Sequence, residues 1–252
     1  MDFSGKYVLV TGGSRGIGRA CVEAFAKHGA RVAINYHRNT DAAQDTIDRL
    51  PGGPHLIIKA DVSDPNSVKE LIETVTNDFD GLDIVVNNAG ISQKHPIDEI
   101  EYNTWQEAWQ RVMAVNLFGP ANIMYCAAQY MMKRGGGRIV NVSSRGAFRG
   151  EPEQPAYGAS KAALNSMSQS LAQKLAKYNI FIGVVAPGFV ETDLSSKYLS
   201  GPEGDNIRNQ SPLGRVARPE EVAYAVLFLA SEGSEYMTGA IIDVNGASYL
   251  RS

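Results

Sequence analysis

Tyr7-Val-Leu-Val-Thr-Gly-Gly-Ser-Arg-Gly-Ile-Gly18 is the stretch on which the fold turns. Its first four residues form a short apolar run, the length of a buried strand, and they stop at a threonine and a cluster of glycines. Beyond the cluster, Ile17, Ala20, Cys21, Ala24 and Phe25 recur at three-and-four spacing, which marks one buried face of a helix. Gly29 closes that helix as a C-cap, and the run from Arg31 to Tyr36, with Val32, Ala33 and Ile34, reads as a second strand. Strand, glycine turn, helix, strand is a βαβ unit, whose crossover requires the two strands to be parallel.

The same alternation runs to the end of the chain. Leu56-Ile57-Ile58 leads to Asp61, and Asp64-Pro65 opens a helix with an N-cap followed by proline at the first position. Ile84-Val85-Val86 runs into Asn87-Asn88-Ala89-Gly90. Residues 104–134 read as two helices broken near Gly119-Pro120. Residues 138–143 are a strand, 156–178 a helix, and 180–185 a strand ending at Pro187-Gly188. Residues 195–212, rich in Gly, Ser, Pro and Asn, read as a mobile loop. Residues 220–230 are helical and Ile241-Ile242-Asp243-Val244 is a last strand. Strands that are continuous apolar runs are covered on both faces. The expectation is one doubly wound α/β domain of the Rossmann type over residues 1–252, with seven parallel strands, helices on both faces and a mobile substrate loop at about 192–212.

Composition narrows the partners. A chain of 252 residues can bury a full core, and 44% hydrophobic with 20% charged residues is ordinary for a globular protein. The net charge of -3 offers no basic footprint for nucleic acid or an anionic membrane. No apolar run is long enough to span a bilayer, and the first residues lack the basic-then-apolar pattern of a secretory signal. Cys21 and Cys126 read as reduced helical thiols, which fits a cytoplasmic protein. His28, His37, His55 and His95 show no ligand spacing, so no metal is expected.

The glycine turn suggests a ligand. Gly12, Gly16 and Gly18 permit tight backbone angles, close approach of a pyrophosphate and access to the unbonded N–H groups of the helix end. The spacing Gly-x3-Gly-x-Gly differs from the common dinucleotide fingerprint, and a turn that merely closes a βα loop is the alternative. At the end of the second strand, Asn35-Tyr36-His37-Arg38 has no carboxylate to accept from a ribose 2′-hydroxyl. Arg15 and Arg38 supply two cations to the same region, which favours a 2′-phosphate and hence NADP(H) over NAD(H).

A second feature is chemical. Tyr157 and Lys161 are one helical turn apart and leave the same face. An ammonium beside a phenol favours the phenolate and should bring its pKa toward the working range of an acid–base group.

Taken together, Thr11-Gly12-x3-Gly16-x-Gly18, Asn87-Asn88-Ala89-Gly90, Asn116, Ser144, Tyr157-x3-Lys161 and Pro187-Gly188 resemble, in order and spacing, the short-chain dehydrogenases/reductases over essentially the whole chain. The resemblance implies an oxidoreductase moving hydride between NADP(H) and a ketone or alcohol. Tyr157 would be the acid/base, Lys161 the group that lowers its pKa and holds the nicotinamide ribose, and Ser144, thirteen residues before the tyrosine, the hydroxyl orienting substrate. Asn116 would bend its helix and anchor a relay water. Ser14 and Ile17 would join Gly12, Arg15, Gly16 and Gly18 in the turn, with Tyr36, His37 and Arg38 at the phosphate. Asp61 and Val62 would touch adenine, Asn88, Ala89 and Gly90 would line the cleft, and Pro187, Gly188, Val190 and Thr192 would meet the carboxamide. Thr11 would be structural.

Read alone, Asn116 is also an ordinary helix-interior amide and Asp61 also a turn residue. The resemblance further implies a homo-oligomer, tetramer or dimer. Gly183 replaces a frequent Asn, and Tyr178 stands where members acting on acyl-carrier-protein thioesters often carry Arg. Lys133 and Arg134 could still form a basic patch. Arg145, directly after Ser144, and Arg149 suggest either an anionic substrate group or surface ion pairs. A dinucleotide-binding regulator without catalysis is the competing function, and a nucleotide-sugar enzyme would need more chain after Pro187-Gly188.

Overall fold

Seven strands form one wholly parallel sheet in the computed structural model, which describes residues 1–251. They are β1 (Tyr7–Val10), β2 (Arg31–Tyr36), β3 (Leu56–Lys59), β4 (Ile84–Asn87), β5 (Gly137–Val142), β6 (Ile180–Pro187) and β7 (Ile241–Val244). Their spatial order, β3-β2-β1-β4-β5-β6-β7, runs outward in both directions from the β1/β4 pair. Reversal of strand order at that pair opens a crevice at the carboxyl ends of β1 and β4, where ligands of open α/β sheets bind. The helices are α1 (Gly16–Lys27), α2 (Thr40–Asp48), α3 (Pro65–Phe79), α4 (Tyr102–Met113), α5 (Gly119–Arg134), the short α6 (Gly146–Arg149), α7 (Pro155–Leu175), α8 (Asp193–Leu199), α9 (Gly204–Asn209) and α10 (Pro219–Ala230).

Strand alternation divides the core in two. Val8 and Val10 pack with Val22 and Phe25 of α1 and Val222 and Val226 of α10. Leu9 points the other way, into a layer with Leu71 of α3, Met124 of α5 and Leu164 of α7. Each such side chain, fully buried, contributes about 1.5–3 kcal/mol. Gly183 lies where α10 crosses β6, since a methyl group there would come within 2.9 Å of Leu229. Asp64 caps α3 by accepting from the N–H of Asn66 at 3.0 Å, and Gly29 follows α1 at φ +91°, both as the sequence suggests.

Three expectations need correction. The helical region 102–134 is not broken at Gly119-Pro120; it widens into one π turn at Ala114–Phe118 and continues as α5. The cause is tertiary, because the Asn116 side chain in that turn is tied to the loop after β4. Residues 192–212 hold two short helices rather than an irregular loop. Thr192 and Ser195 cap α8 reciprocally, and Arg208 ties α9 to the Leu199 carbonyl at 2.9 Å. Helix α2 was not expected, for it buries only Ala43 and Thr46. Cys21 and Cys126 are free, and burial pushes the Cys21 thiol up to about 12, which makes it inert. No helix among the described residues is long and apolar enough to cross a membrane, and none of their His, Cys, Asp and Glu side chains group to hold a metal.

Candidate active site

A cleft of about 890 Å³ opens at the β1/β4 crevice. Its floor is the glycine turn, where Gly12 and Gly16 take left-handed backbone angles of φ +61° and +53°. A Cβ on Gly18 would overlap the Gly12 carbonyl and come within 2.5 Å of Asn88 Nδ2, so α1 can pass this close only as glycine. Thr11 and Asn88 stitch the turn to β4. The Thr11 hydroxyl accepts the N–H groups of Asn88 and Ala89, both at 3.1 Å, and Asn88 Nδ2 donates to the carbonyls of Thr11 and Gly12 at 3.0 and 3.1 Å. Helix α1 starts at Gly16 with no side chain capping it, and Ser14, Arg15, Gly16 and Ile17 line the cleft. Its first N–H groups remain open to an anion.

At one end of the cleft Tyr36 is buried while His37 and Arg38 are exposed. Asp61 lies 3.5 Å from His37. Burial works against its carboxylate. The Ser63 hydroxyl and N–H, donating at 2.7 and 2.9 Å, together with His37 and Arg38, hold it below the ordinary range all the same. Arg15 reaches Asp193 of α8 at 3.9 Å, whereas Arg38 has no ion-pair partner among the described residues. Val62 is buried beside Gly119, where a Cβ would lie 2.8 Å from the Val62 carbonyl.

At the other end Ser144, Tyr157 and Lys161 meet. Ser144 leaves β5 and Tyr157 and Lys161 stand on α7; all three line the cleft. The Ser144 hydroxyl accepts the Gly146 N–H at 3.0 Å and lies close enough to the Tyr157 phenol to favour its phenolate. Ser143 instead turns inward to the Lys161 carbonyl at 3.4 Å, so only the second serine faces the tyrosine. Lys161 is buried and donates to the Val142 carbonyl at 2.8 Å; burial pushes its ammonium down to about 8. The expected lowering of the phenol is not what the geometry gives. Burial raises Tyr157 above its ordinary value, the Ser144 hydroxyl pulls it back and the Glu151 charge adds to the rise. Lys161 Nζ lies over the phenol ring, 5.9 Å from its centre.

Asn116, fully buried, donates to Ile91 O and accepts from Ile91 N, both at 2.9 Å, and also donates to Ser160 at 3.2 Å. A methyl group on Gly90 would sit 3.5 Å from both Asn116 Oδ1 and Lys161 Nζ. Pro187 accepts from the Arg145 N–H, Gly188 donates to Val244 O at 3.0 Å, and Val190 and Thr192 carry the chain over the cleft into α8. Arg145 is not surface-exposed, and it has no ion pair among the described residues. It is buried against Phe189 with its guanidinium on Gln210 and Ser248, because α9 and the C-terminal segment close over it. Arg149 does form an ion pair, with Glu151 at 3.5 Å.

Residues 12–247 match the family model described as enoyl-(acyl carrier protein) reductase. Among similar proteins, the 3-oxoacyl-(acyl carrier protein) reductase FabG of Thermotoga maritima is 38% identical over 98% of both chains. Its Escherichia coli namesake is 39% identical over 99% of this chain and 100% of that protein. A solved dehydrogenase/reductase from Sinorhizobium meliloti 1021 superposes with a TM-score of 0.90 at 31% identity, covering 99% of this chain and 97% of that one. The chain belongs to the short-chain dehydrogenase/reductase family. It is therefore an oxidoreductase acting on CH–OH and ketone groups.

In this short-chain dehydrogenase/reductase the loops at 92–103 and 145–154, which leave the carboxyl ends of strands, bring in residues at and behind the cleft that no motif marks. Glu151 packs its carboxylate against Gly146 and faces the phenol. Gln154 hydrogen-bonds Ser92 across the cleft mouth. His95, fully buried between Trp105 and Trp109, accepts the Ala156 N–H at 3.1 Å and so holds the first turn of α7. A lone histidine outside any motif gives no hint of that.

Proposed function

We propose that this chain is a cytoplasmic carbonyl reductase that uses NADP(H), with Tyr157 delivering the proton. The observation that carries the reading is the convergence of Ser144, Tyr157 and Lys161 on the cleft whose floor is the glycine turn. The cleft fits a dinucleotide, since a turn with no room for a Cβ and an uncapped helix N-terminus form a pyrophosphate cradle. Gly12, Ser14, Arg15, Gly16, Ile17 and Gly18 would hold the pyrophosphate, and Tyr36, His37 and Arg38 a 2′-phosphate. Asp61 and Val62 would flank adenine. Asn88, Ala89, Gly90, Pro187, Gly188, Val190 and Thr192 would line the nicotinamide end. NADPH, when bound, supplies hydride.

The protein's own part is proton handling. A phenol raised by burial keeps its proton at neutral pH, which suits a donor in the direction of reduction. Ser144 and Tyr157 donate hydrogen bonds to the carbonyl oxygen, where fixed donors stabilise developing negative charge. The Lys161 ammonium, at about 8, stabilises the phenolate left behind and is poised to pass on a proton. Asn116, through Ile91 and Ser160, fixes the π turn beside Lys161 and would hold a relay water there. Exposed Phe118 and Tyr125 on the helix pair α4/α5 suit a homo-oligomer contact.

The test is NADPH oxidation with ketones, aldehydes, quinones, sugars and 3-oxoacyl thioesters as acceptors. Turnover with NADPH favoured over NADH supports the reading. Tight NADPH binding with no turnover on any carbonyl would leave the regulator reading in its place.

A further inference from the structure

Beside the main cleft lies a side cavity of about 150 Å³, lined among others by Arg145, Arg215, Glu221, Asp243, Asn245 and Ser248. Its charges can be accounted for one by one. Arg215 grips Glu221 with two bonds of 2.7 Å, and Asp243 is taken by Arg251 at 2.7 Å. Arg145 alone lacks a counter-charge: no carboxylate among the described residues lies within ion-pair distance, and nearby Glu151 is engaged by Arg149. Yet the Arg145 side chain is buried, the residue being 3% exposed, and rests 5.1 Å above the Phe189 ring. An uncompensated cation removed from water is costly unless something supplies the missing charge.

Among the described residues only neutral groups meet the Arg145 guanidinium. The Gln210 side-chain oxygen and the Ser248 hydroxyl oxygen both accept from the guanidinium. Neither cancels the charge, and the Ser248 hydroxyl, which lines the side cavity, keeps its hydrogen to donate to an anion there. Arg145 lines both the side cavity and the main cleft, and it follows Ser144 directly in the chain.

We infer that the substrate is a short oxo acid whose carboxylate is received by Arg145 and Ser248 while its carbonyl sits at Ser144 and Tyr157. This rests on the carbonyl-reductase reading. The carboxylate takes no part in bond making; it sets which carbonyl compound is held.

The experiment is steady-state NADPH oxidation by the full chain on 2-, 3-, 4- and 5-oxo acids and their methyl esters, which differ only in the charge. At the chain length that spans the two sites, the acid should exceed its ester about tenfold or more in kcat/KM, chiefly through KM. Arg145→Gln should erase that ratio with NADPH affinity retained, and Arg145→Lys should keep part of it. Should the buried substitutions unfold the chain, the wild type still decides. Butanoate and pentanoate should inhibit competitively against the carbonyl substrate, and their amides at least about tenfold more weakly. Esters reduced as well as acids at every length, or amides inhibiting as well as carboxylates, would overturn the inference and leave the reductase reading intact. No turnover of any carbonyl compound would overturn both.

Discussion

On the β1 side of the cleft, shape is held by backbone and by very short side chains. The Thr11 hydroxyl and the Asn88 amide alone take four of the bonds that fix the glycine turn, and neighbouring atoms leave no space for a Cβ. On the β6 side, long side chains do the holding. Arg145 reaches Gln210 and Ser248, Arg208 reaches the Leu199 carbonyl, and Arg215 reaches Glu221. Long side chains lose more rotamer entropy on being fixed and can be exchanged without moving the backbone. The difference teaches which half tolerates change. A nucleotide common to many reactions suits a backbone cradle, and a substrate particular to one reaction suits exchangeable side chains.

The contrast is broken most directly at Gly18. Gly18→Ala should cost about 3 kcal/mol and abolish measurable NADPH binding, because the obstruction is the Gly12 backbone. Urea melts and a fluorescence titration read both effects, and a variant of normal affinity would break the comparison.

Lys161 sharpens it by pH. Its ammonium titrates near 8 in the folded chain against 10.5 for an ordinary lysine, so between those values the unfolded chain holds the extra proton. Stability should therefore rise with pH across that window, the full penalty of about 3 kcal/mol applying below it. Lys161→Met should be more stable than wild type at pH 7 by up to about 3 kcal/mol, with the gap narrowing toward pH 10 in urea melts. A gap that does not change with pH would mean that burial is not what depresses the ammonium.

Smaller effects are expected further out. Arg38→Ser should lower the NADPH-to-NADH ratio in kcat/KM about tenfold, the share of one exposed charge-assisted contact. An unchanged ratio would take Arg38 out of the cofactor site. Least of all should come from Gly146→Ala, whose new Cβ meets only the movable Glu151 side chain at 2.6 Å; less than about 1 kcal/mol in melting experiments is expected.

The strands were legible because each is built on a short apolar run, buried through most of its length in β1, β2, β4, β5 and β6 and only half-buried at the edges β3 and β7. The βαβ start was legible because glycine at 12, 16 and 18 has a steric cause. What stayed hidden is set by distant contacts. The π turn exists because Asn116 bonds Ile91 across the fold. Helices α8 and α9 use Ser, Asn and Asp, which serve caps and loops alike. The burial of Arg145 depends on Gln210 and Ser248, far away in sequence, so a charged residue read as a surface one. The direction of the Tyr157 shift was missed for a related reason: one helical turn reports that Lys161 is near, and says nothing of how much water burial removes.

Single-turnover NADPH oxidation by Tyr157→Phe, on whichever carbonyl compound the wild type accepts, puts the proton-donor assignment to the sharpest test. The prediction is a rate lowered about a thousandfold with the cofactor Kd unchanged. A rate within a few-fold of wild type, at equal cofactor occupancy, would contradict it.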